Sequence, residues 1–586
     1  MPVPERERRV STYKEISVKV WKAIGRFAEI IIYLAYAAFW ILSALVLVVS
    51  LMTTVVFRQY EQNDLFDFVN ENIPFLLLSM LAWFALMLAA RAAQERNHMA
   101  AGALQKTGAA STGKMGVSGS VPCHPSAASP QSAPFPWLLL IVAGAVSLFL
   151  VIAVGGLPTA DAAQLDEVIH QFAERDYSSI SWGYLRNYPF QVFYVYIGEI
   201  LLRLFGEYDT VAWQLLNVIA IEFLMYFLYR ITWELFESRR VCLIMQILSC
   251  GAFCLYAFST FVYLDLVSMA LSAGALYLQI LYMKREKVRY EILAGVLVTL
   301  AILMKMNCLI ALIAMILFLL VNALWKGIRE GSGVAARLLR ALTLIALLIV
   351  MQTAASSLLE WYTFLRTGTE LGDGFPFIAY IAMGLQVAEG KCGWYNGFTI
   401  SIWAESGYDA QKTSELAWEA IRESFAEFDN SGRYTLNFFY QKFISQWGDS
   451  TCVSMKELEN TYRHTEETAL ADSLIFGTGS TILQWVMNVF HSMIYLGNLI
   501  YAGAVLTDRR RGTGSASTRR CAAEEAMIVI FIFGGMLFHE IWEASGRYTM
   551  RYYLTMIPLA AWGWSAAVDY VLRRLSAGRS RKKPTT

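Results

Sequence analysis

Three carboxylates, Asp161, Asp166 and Glu167, fall within seven positions of "PTADAAQLDE", directly after the apolar run "PWLLLIVAGAVSLFLVIAVGG". A carboxylate at the end of a membrane-crossing helix can take a proton from a hydroxyl at the membrane surface; a solvated loop is the plain alternative. A second cluster lies near the end of the chain, where "FHEIWEASGRYTMRYYLTMIPL" carries His539, Glu540, Glu543, Arg547 and Arg551. Glu543, Arg547 and Arg551 step by four, so a continuous helix would put them on one face. Two guanidinium groups there could fork onto a phosphate, against the alternative of interfacial anchoring with intrahelical pairing. Between these clusters, Asp265 in "STFVYLDLVSM" and Lys305 in "AILMKMNC" each fall at a helix end. Glu222 lies inside an apolar run near Asn217, where a buried bond to another helix accounts for it.

These residues need elements to hold them, and composition says of what kind. Of 586 residues, 56% are apolar and only 16% charged, with a mean hydropathy of +0.44, which indicates a polytopic membrane protein. Nothing suggests nucleic-acid binding, and the 17 Trp and 30 Tyr suit two interfacial belts. At roughly 20 apolar residues per crossing, helices are expected near 27–57, 74–91, 136–156, 211–231, 240–260, 262–283, 290–306, 307–325, 336–359, 481–506, 525–542 and 548–571. The expected fold class is thus all-α, polytopic, with about twelve transmembrane helices.

Twelve crossings put the basic connections "RITWELFESRR", "KREKVR", "KGIREGSGVAARLLR" and "DRRRGTGSASTRR" and the tail "RRLSAGRSRKKPTT" on one side with the N-terminus. By the positive-inside rule that side is cytoplasmic. The 157–190 loop, with two Arg against five acids, then faces outward. "YPFQVFYVYIGEILLRLFG", 188–206, is apolar but pairs Glu199 with Arg203 at i and i+4, and reads as an amphipathic helix in the outer interface. Residues 1–91 read as a basic lead with a two-helix membrane appendage, and 92–135, rich in Ala, Gly, Ser and Pro, as a flexible cytoplasmic linker. The core membrane region is 136–359, an extracytoplasmic loop domain 360–480, the C-terminal helices 481–571 and a basic cytoplasmic tail 572–586.

Asp161, Asp265, Lys305, Glu543, Arg547 and the large loop all fall on the outer side in this reading. A transporter would place its polar groups near the midplane of two related halves, and no such repeat is present. There is no GxxxxGK[ST] phosphate cradle and no Cys or His cluster with zinc spacing. Asp166, His170 and Glu174 form an acid-His-acid row at helical spacing, best read as a solvated face. Trp394, Tyr395 and Trp403 could stack on a sugar or pack a small domain, and a disulfide between Cys392 and Cys452 is left open. An outward-facing transferase must draw its activated substrate from the lipid phase, which a polyprenyl-phosphate donor satisfies.

At this point the sequence resembles the polytopic GT-C glycosyltransferases, the bacterial members akin to protein O-mannosyltransferases and aminoarabinose transferase. An Asp follows the first core helix, here Asp161 in "PTADAAQ". An aromatic-Pro pair opens an interfacial helix ending in Phe-Gly, here "NYPFQVFYVYIGEILLRLFG" with Tyr188. Leu264 and Asp265 open a core helix, and "GVLVTLAILMKMN" closes a small-apolar helix on Lys305. "WEASGRYTMRYYLTMIPL" is similar to the Arg-Tyr opening of the final helix in bacterial relatives. The likeness covers residues 136–360 and the last helices. Many relatives carry Asp-Glu at the first site, whereas Ala162 follows Asp161 here.

The resemblance implies an inverting glycosyltransferase that moves a sugar from a polyprenyl-phosphate carrier to a cell-envelope glycan, lipid or exported protein, in the plasma membrane. Asp161 would be the general base and Asp265 the second acid. Lys305, Arg547 and Arg551 would meet the lipid phosphate, and Glu543, Tyr188 and His539 the sugar or acceptor. No metal is required, although Asp161 and Asp265 could share a divalent cation. A lipid-linked glycan flippase or transporter without transferase activity is the alternative.

Overall fold

Apolar runs satisfy their own backbone polar groups only as helices, and the computed structural model shows them so. It describes residues 5–60, 64–111, 133–330, 333–462, 468–510 and 523–581. The chain begins with α1 (Glu5–Met52), an antiparallel hairpin of β1 (Thr53–Phe57) and β2 (Phe66–Asn70) pairing Thr53 with Asn70, and α2 (Ile73–Ser111). Then come α3 (Trp137–Val154), α4 (Asp161–Ala173), the single turns α5 (Ser179–Trp182) and α6 (Tyr184–Asn187), α7 (Val192–Phe205), α8 (Asp209–Phe236), α9 (Arg239–Cys250) and α10 (Phe253–Ala257). The centre is α11 (Asp265–Arg285), followed by α12 (Val288–Met304), α13 (Leu309–Glu330) and α14 (Val334–Thr367). A segment of short elements follows: α15 (Phe377–Gly384), β3 (Val387–Ala388), β4 (Lys391–Cys392), α16 (Phe398–Glu405), α17 (Ala410–Asn430), α18 (Gly432–Trp447), α19 (Ser454–Thr461) and α20 (Ala469–Ile475). Three long helices close the chain: α21 (Thr478–Arg510), α22 (Ala523–Ile541) and α23 (Gly546–Arg581).

Each expected crossing coincides with a helix, but not every one has the length and composition expected of a span. Among the described residues eight helices are long and apolar enough to cross a membrane, or nine if the pair α9 and α10, bent by 53°, is one crossing. That is fewer than twelve. The 17 residues of α12 reach only about 26 Å, α22 carries Glu524, Glu525 and Glu540, and α23 opens on Arg547 and Arg551. The expected interfacial helix forms as α7, set off from α8 by Gly206, whose φ of +59° turns the chain where a side chain would be strained. Its Glu199 is held by Arg203 and by Arg366 at the end of α14, each at 2.6–2.9 Å.

The core is centred on α11, whose small residues Ser268, Ala270, Ser272, Ala273, Gly274 and Ala275 let α8 and α12 approach closely. Polar side chains tie its neighbours: Gln279 donates to the Met315 carbonyl (2.8 Å) and Ser272 to the Cys308 thiol (3.2 Å). α1 belongs to this core, with Tyr36 and Phe39 buried and the Tyr36 hydroxyl 3.1 Å from that of Tyr501. α2 is peripheral and continues to Ser111, into the stretch expected as linker; residues 112–132 and 582–586 lie outside the described residues.

The segment expected as a loop domain, 360–480, packs partly on itself and partly on the main core among its described residues. α15 to α18 share a small cluster around Ala379, Leu385, Ile421 and Phe438, yet Phe443, Ile444, Trp447 and Cys452 are part of the main core. Cys392 and Cys452 are both free thiols. Several basic connections meet at one end of the bundle: Glu234 pairs with Lys284 and Arg285, Glu286 with Lys326 and Arg337, and Asp569 with Arg240. Asp265 lies at the opposite end of α11, 21 residues or about 30 Å away.

Candidate active site

The first carboxylate is placed by a strained turn. Ala160 has φ +48° and ψ −124°, a conformation costly for a residue with a Cβ, and it makes Asp161 the first residue of α4. The crossing from α3 to α4 is pinned where the Leu157 amide donates to Thr461 (2.8 Å) and Gln214 of α8 donates to the Gly156 carbonyl (3.0 Å). The same Gln214 amide also donates to the Thr260 carbonyl (3.2 Å), in the segment leading to Asp265. Asn217, three residues on, donates to Phe261 (2.7 Å) and Ser259 (3.3 Å). Two buried amides on α8 thus fix the segments that carry Asp161 and Asp265.

Asp265, 1% exposed, accepts from Lys305 Nζ at 2.9 Å. Lys305 occupies the break between α12 and α13, with its ammonium 4.6 Å from the centre of the Tyr263 ring. Arg547 faces the same ring at 5.7 Å and reaches Glu457 of α19 at 3.4 Å. Two cations therefore converge on one aromatic ring, each backed by a carboxylate from a distant part of the chain.

Glu543 departs from the expected row. α23 begins only at Gly546, so Arg547 and Arg551 share a helix while Glu543 sits in the preceding loop. That loop is held by its backbone: Ala544 donates to Gly393 (2.7 Å), and buried Lys442 donates to the carbonyls of Trp542 (2.8 Å) and Gly384 (2.5 Å). Gly393, at φ +72°, has no room for a side chain, since a Cβ would lie 2.6 Å from the Gly384 oxygen. Glu543 accepts from the Tyr548 hydroxyl at 3.5 Å. Burial pushes its carboxyl up to about 7, opposed by Arg547; Glu457 is likewise raised to about 7 by burial.

Asp161, Tyr188, Lys305, Glu543 and Arg547 line one cavity of about 1410 Å³. Trp394, Tyr395, Tyr380 and Trp542 form an aromatic wall on one side. On another the cavity runs between α12, α13 and α14 past Ile302, Leu309, Ile313 and Leu359. Tyr188 is fixed in the wall by ring contacts with Tyr184 (4.7 Å) and Phe375 (4.9 Å).

Three expected site residues are not on the cavity wall. Asp265 stands behind Lys305. Arg551, one turn deeper on α23 and 4% exposed, points to the Cys308 sulfur at 2.9 Å. His539 is fully buried against the rings of Tyr548 and Tyr552. Gln214, Glu457, Tyr263 and Tyr548 were missed as contributors. Tyr263 and Tyr548 lie in the segments that carry Asp265 and Arg547, whereas nothing in "KELEN" distinguishes Glu457 from a solvated face.

The architecture and the site define a polytopic helical membrane protein with a carboxylate- and cation-lined cavity at one end of its bundle. Residues 189–356, from just before α7 into α14, match the family described as dolichyl-phosphate-mannose-protein mannosyltransferase. Over that stretch, under a third of the chain, it is similar to that family. Among solved structures it is similar to the oligosaccharyltransferase of Archaeoglobus fulgidus in the apo form, at 14% identity and a TM-score of 0.39, over 77% of this chain and 52% of that one. The same enzyme tethered to an acceptor peptide containing the NVT sequon via a disulfide bond matches at 14% identity and a TM-score of 0.37, over 74% and 50%. The chain thus spans about half the length of these structures. None of the curated proteins compared matches it.

Proposed function

We propose that this protein transfers a sugar from a polyprenyl-phosphate carrier to a hydroxyl of a cell-envelope glycan, lipid or exported protein. The observation that carries the reading is the convergence of Asp161, Lys305 and Arg547 on one cavity that also opens along an apolar gap between α12, α13 and α14. The gap suits the hydrocarbon of the carrier, and the two cations suit its phosphate. Asp161, on the wall and at the start of α4, takes the acceptor proton as the acceptor oxygen bonds to the anomeric carbon. The bond from that carbon to the phosphate oxygen breaks in the same step, with inversion, and the departing phosphate's charge is met by Lys305 and Arg547. Asp265 acts through Lys305, which it positions. Glu543, Tyr188 and the aromatic wall hold the sugar or the acceptor. Arg551 and His539 support from behind, Arg551 by adding positive charge beneath Arg547.

The cavity end faces outward in this proposal, and the basic end, with both termini, lies on the cytoplasmic side of a plasma membrane. The test is transfer by the purified protein in nanodiscs, using a panel of labelled polyprenyl-phosphate sugars and a cell-envelope extract. Label should move from lipid to an extract component. No transfer across the panel, with carrier lipid still translocated in vesicles, would overturn this reading in favour of a lipid-linked glycan flippase.

A further inference from the structure

Asp166 and His170 stand four residues apart on α4, hence on one helix face, and Asp209 opens α8 opposite them. One carboxylate oxygen of each aspartate and one ring nitrogen of the histidine lie within 4.8 Å of one another. None of the three lines the cavity described above.

The charge at this point is unbalanced. Asp209 is 7% exposed and accepts from the Thr210 amide (2.7 Å), while Asp166 is half-buried. Among the described residues no Lys or Arg forms an ion pair with either, whereas Glu199 on neighbouring α7 is held by two arginines. Two carboxylates and an imidazole converging on one point, with His170 open to solvent, form the donor set of a divalent cation with room left for water.

We propose that Asp166, His170 and Asp209 bind one divalent transition-metal ion of the zinc class, which clamps α4 to α8. Two oxygens and one imidazole nitrogen favour such an ion over magnesium or calcium, which take oxygen ligands almost throughout. The clamp is structural. It fixes the helix that begins with Asp161 to the helix that carries Gln214, and so adds a second tie between α8 and the segment holding Asp161.

The test uses the full chain in detergent, stripped with chelator and then titrated with Zn2+ by calorimetry, with Co2+ absorption as a report on the ligand set. One equivalent per chain should bind and raise the thermal midpoint. His170→Ala, a change at an exposed position, should lose both effects, as should Asp209→Asn, while Asp161→Asn keeps them. A wild-type protein that binds no more Zn2+ than the His170→Ala/Asp209→Asn double variant would overturn the proposal. So would a thermal shift that persists unchanged in His170→Ala. Neither readout depends on transferase activity.

Discussion

Asp265→Asn removes the only carboxylate that Lys305 touches at ion-pair distance among the described residues. At 2.9 Å and an effective dielectric of about 20, the attraction between the two is roughly 6 kcal/mol before desolvation is counted. Asp265 is 1% and Lys305 12% exposed, so breaking the pair from either side leaves a nearly buried charge, a change that costs about 3–5 kcal/mol. The loss is aggravated on the cationic side, because Lys305 and Arg547 face the same Tyr263 ring at 4.6 and 5.7 Å. Lys305→Met should be destabilising by a similar amount, now through an unpaired Asp265. The double variant buries no lone charge and should recover about 2–3 kcal/mol relative to the sum of the singles. Thermal midpoints of the four proteins in detergent measure this order, and donor binding separates stability from function. The double variant should be folded yet bind donor weakly, because the phosphate has lost one of its two cations. A double variant as unstable as the singles combined would refute the pairing as the reason Asp265 is there.

Glu543, raised by burial from 4.5 to about 7, holds its proton in the folded protein between those values. The folded state then binds the extra proton, so this group's stabilisation is complete below 4.5 and lost as pH rises to about 7. In the proposed mechanism its ionisation also adds a negative charge to the cavity that takes the donor phosphate; donor affinity should then fall as pH rises through about 7, and Glu543→Gln should flatten that slope in a binding titration. Gln214→Leu strips the Gly156 and Thr260 carbonyls of their shared donor and should cost about 1–3 kcal/mol. It should lower kcat and weaken donor binding together, because it loosens both the segment of Asp161 and the segment that leads to Asp265, the partner of Lys305. Ala160→Gly should relieve roughly 1 kcal/mol of backbone strain and raise the thermal midpoint, while Ala160→Val should lower it.

The sequence was most informative where one residue type has one physical use. Apolar runs became helices, Glu199 and Arg203 marked α7 as a distinct amphipathic element, and Asp161, Lys305 and Arg547 reached a common cavity. It failed where the outcome depends on backbone breaks. The four-residue spacing of Glu543, Arg547 and Arg551 presumes a continuous helix, but Ala544 pairs with Gly393 and the helix starts two residues later. Partners from distant segments were also invisible. Glu457 meets Arg547 across 90 residues of chain, and Gln214 bridges two loops through backbone carbonyls that leave no mark in composition. The row of Asp166 and His170 was visible, but Asp209, which completes the cluster, lies on another helix, beyond the turn at Gly206.

The most direct test of the central claim is a single-turnover comparison of wild type and Asp161→Asn with a labelled polyprenyl-phosphate sugar that the wild type uses. Loss of a positioned general base should slow transfer by about 100- to 10,000-fold while leaving donor affinity within a few-fold of wild type. Transfer at the wild-type rate, or loss of donor binding in parallel with loss of transfer, would contradict Asp161 as the base.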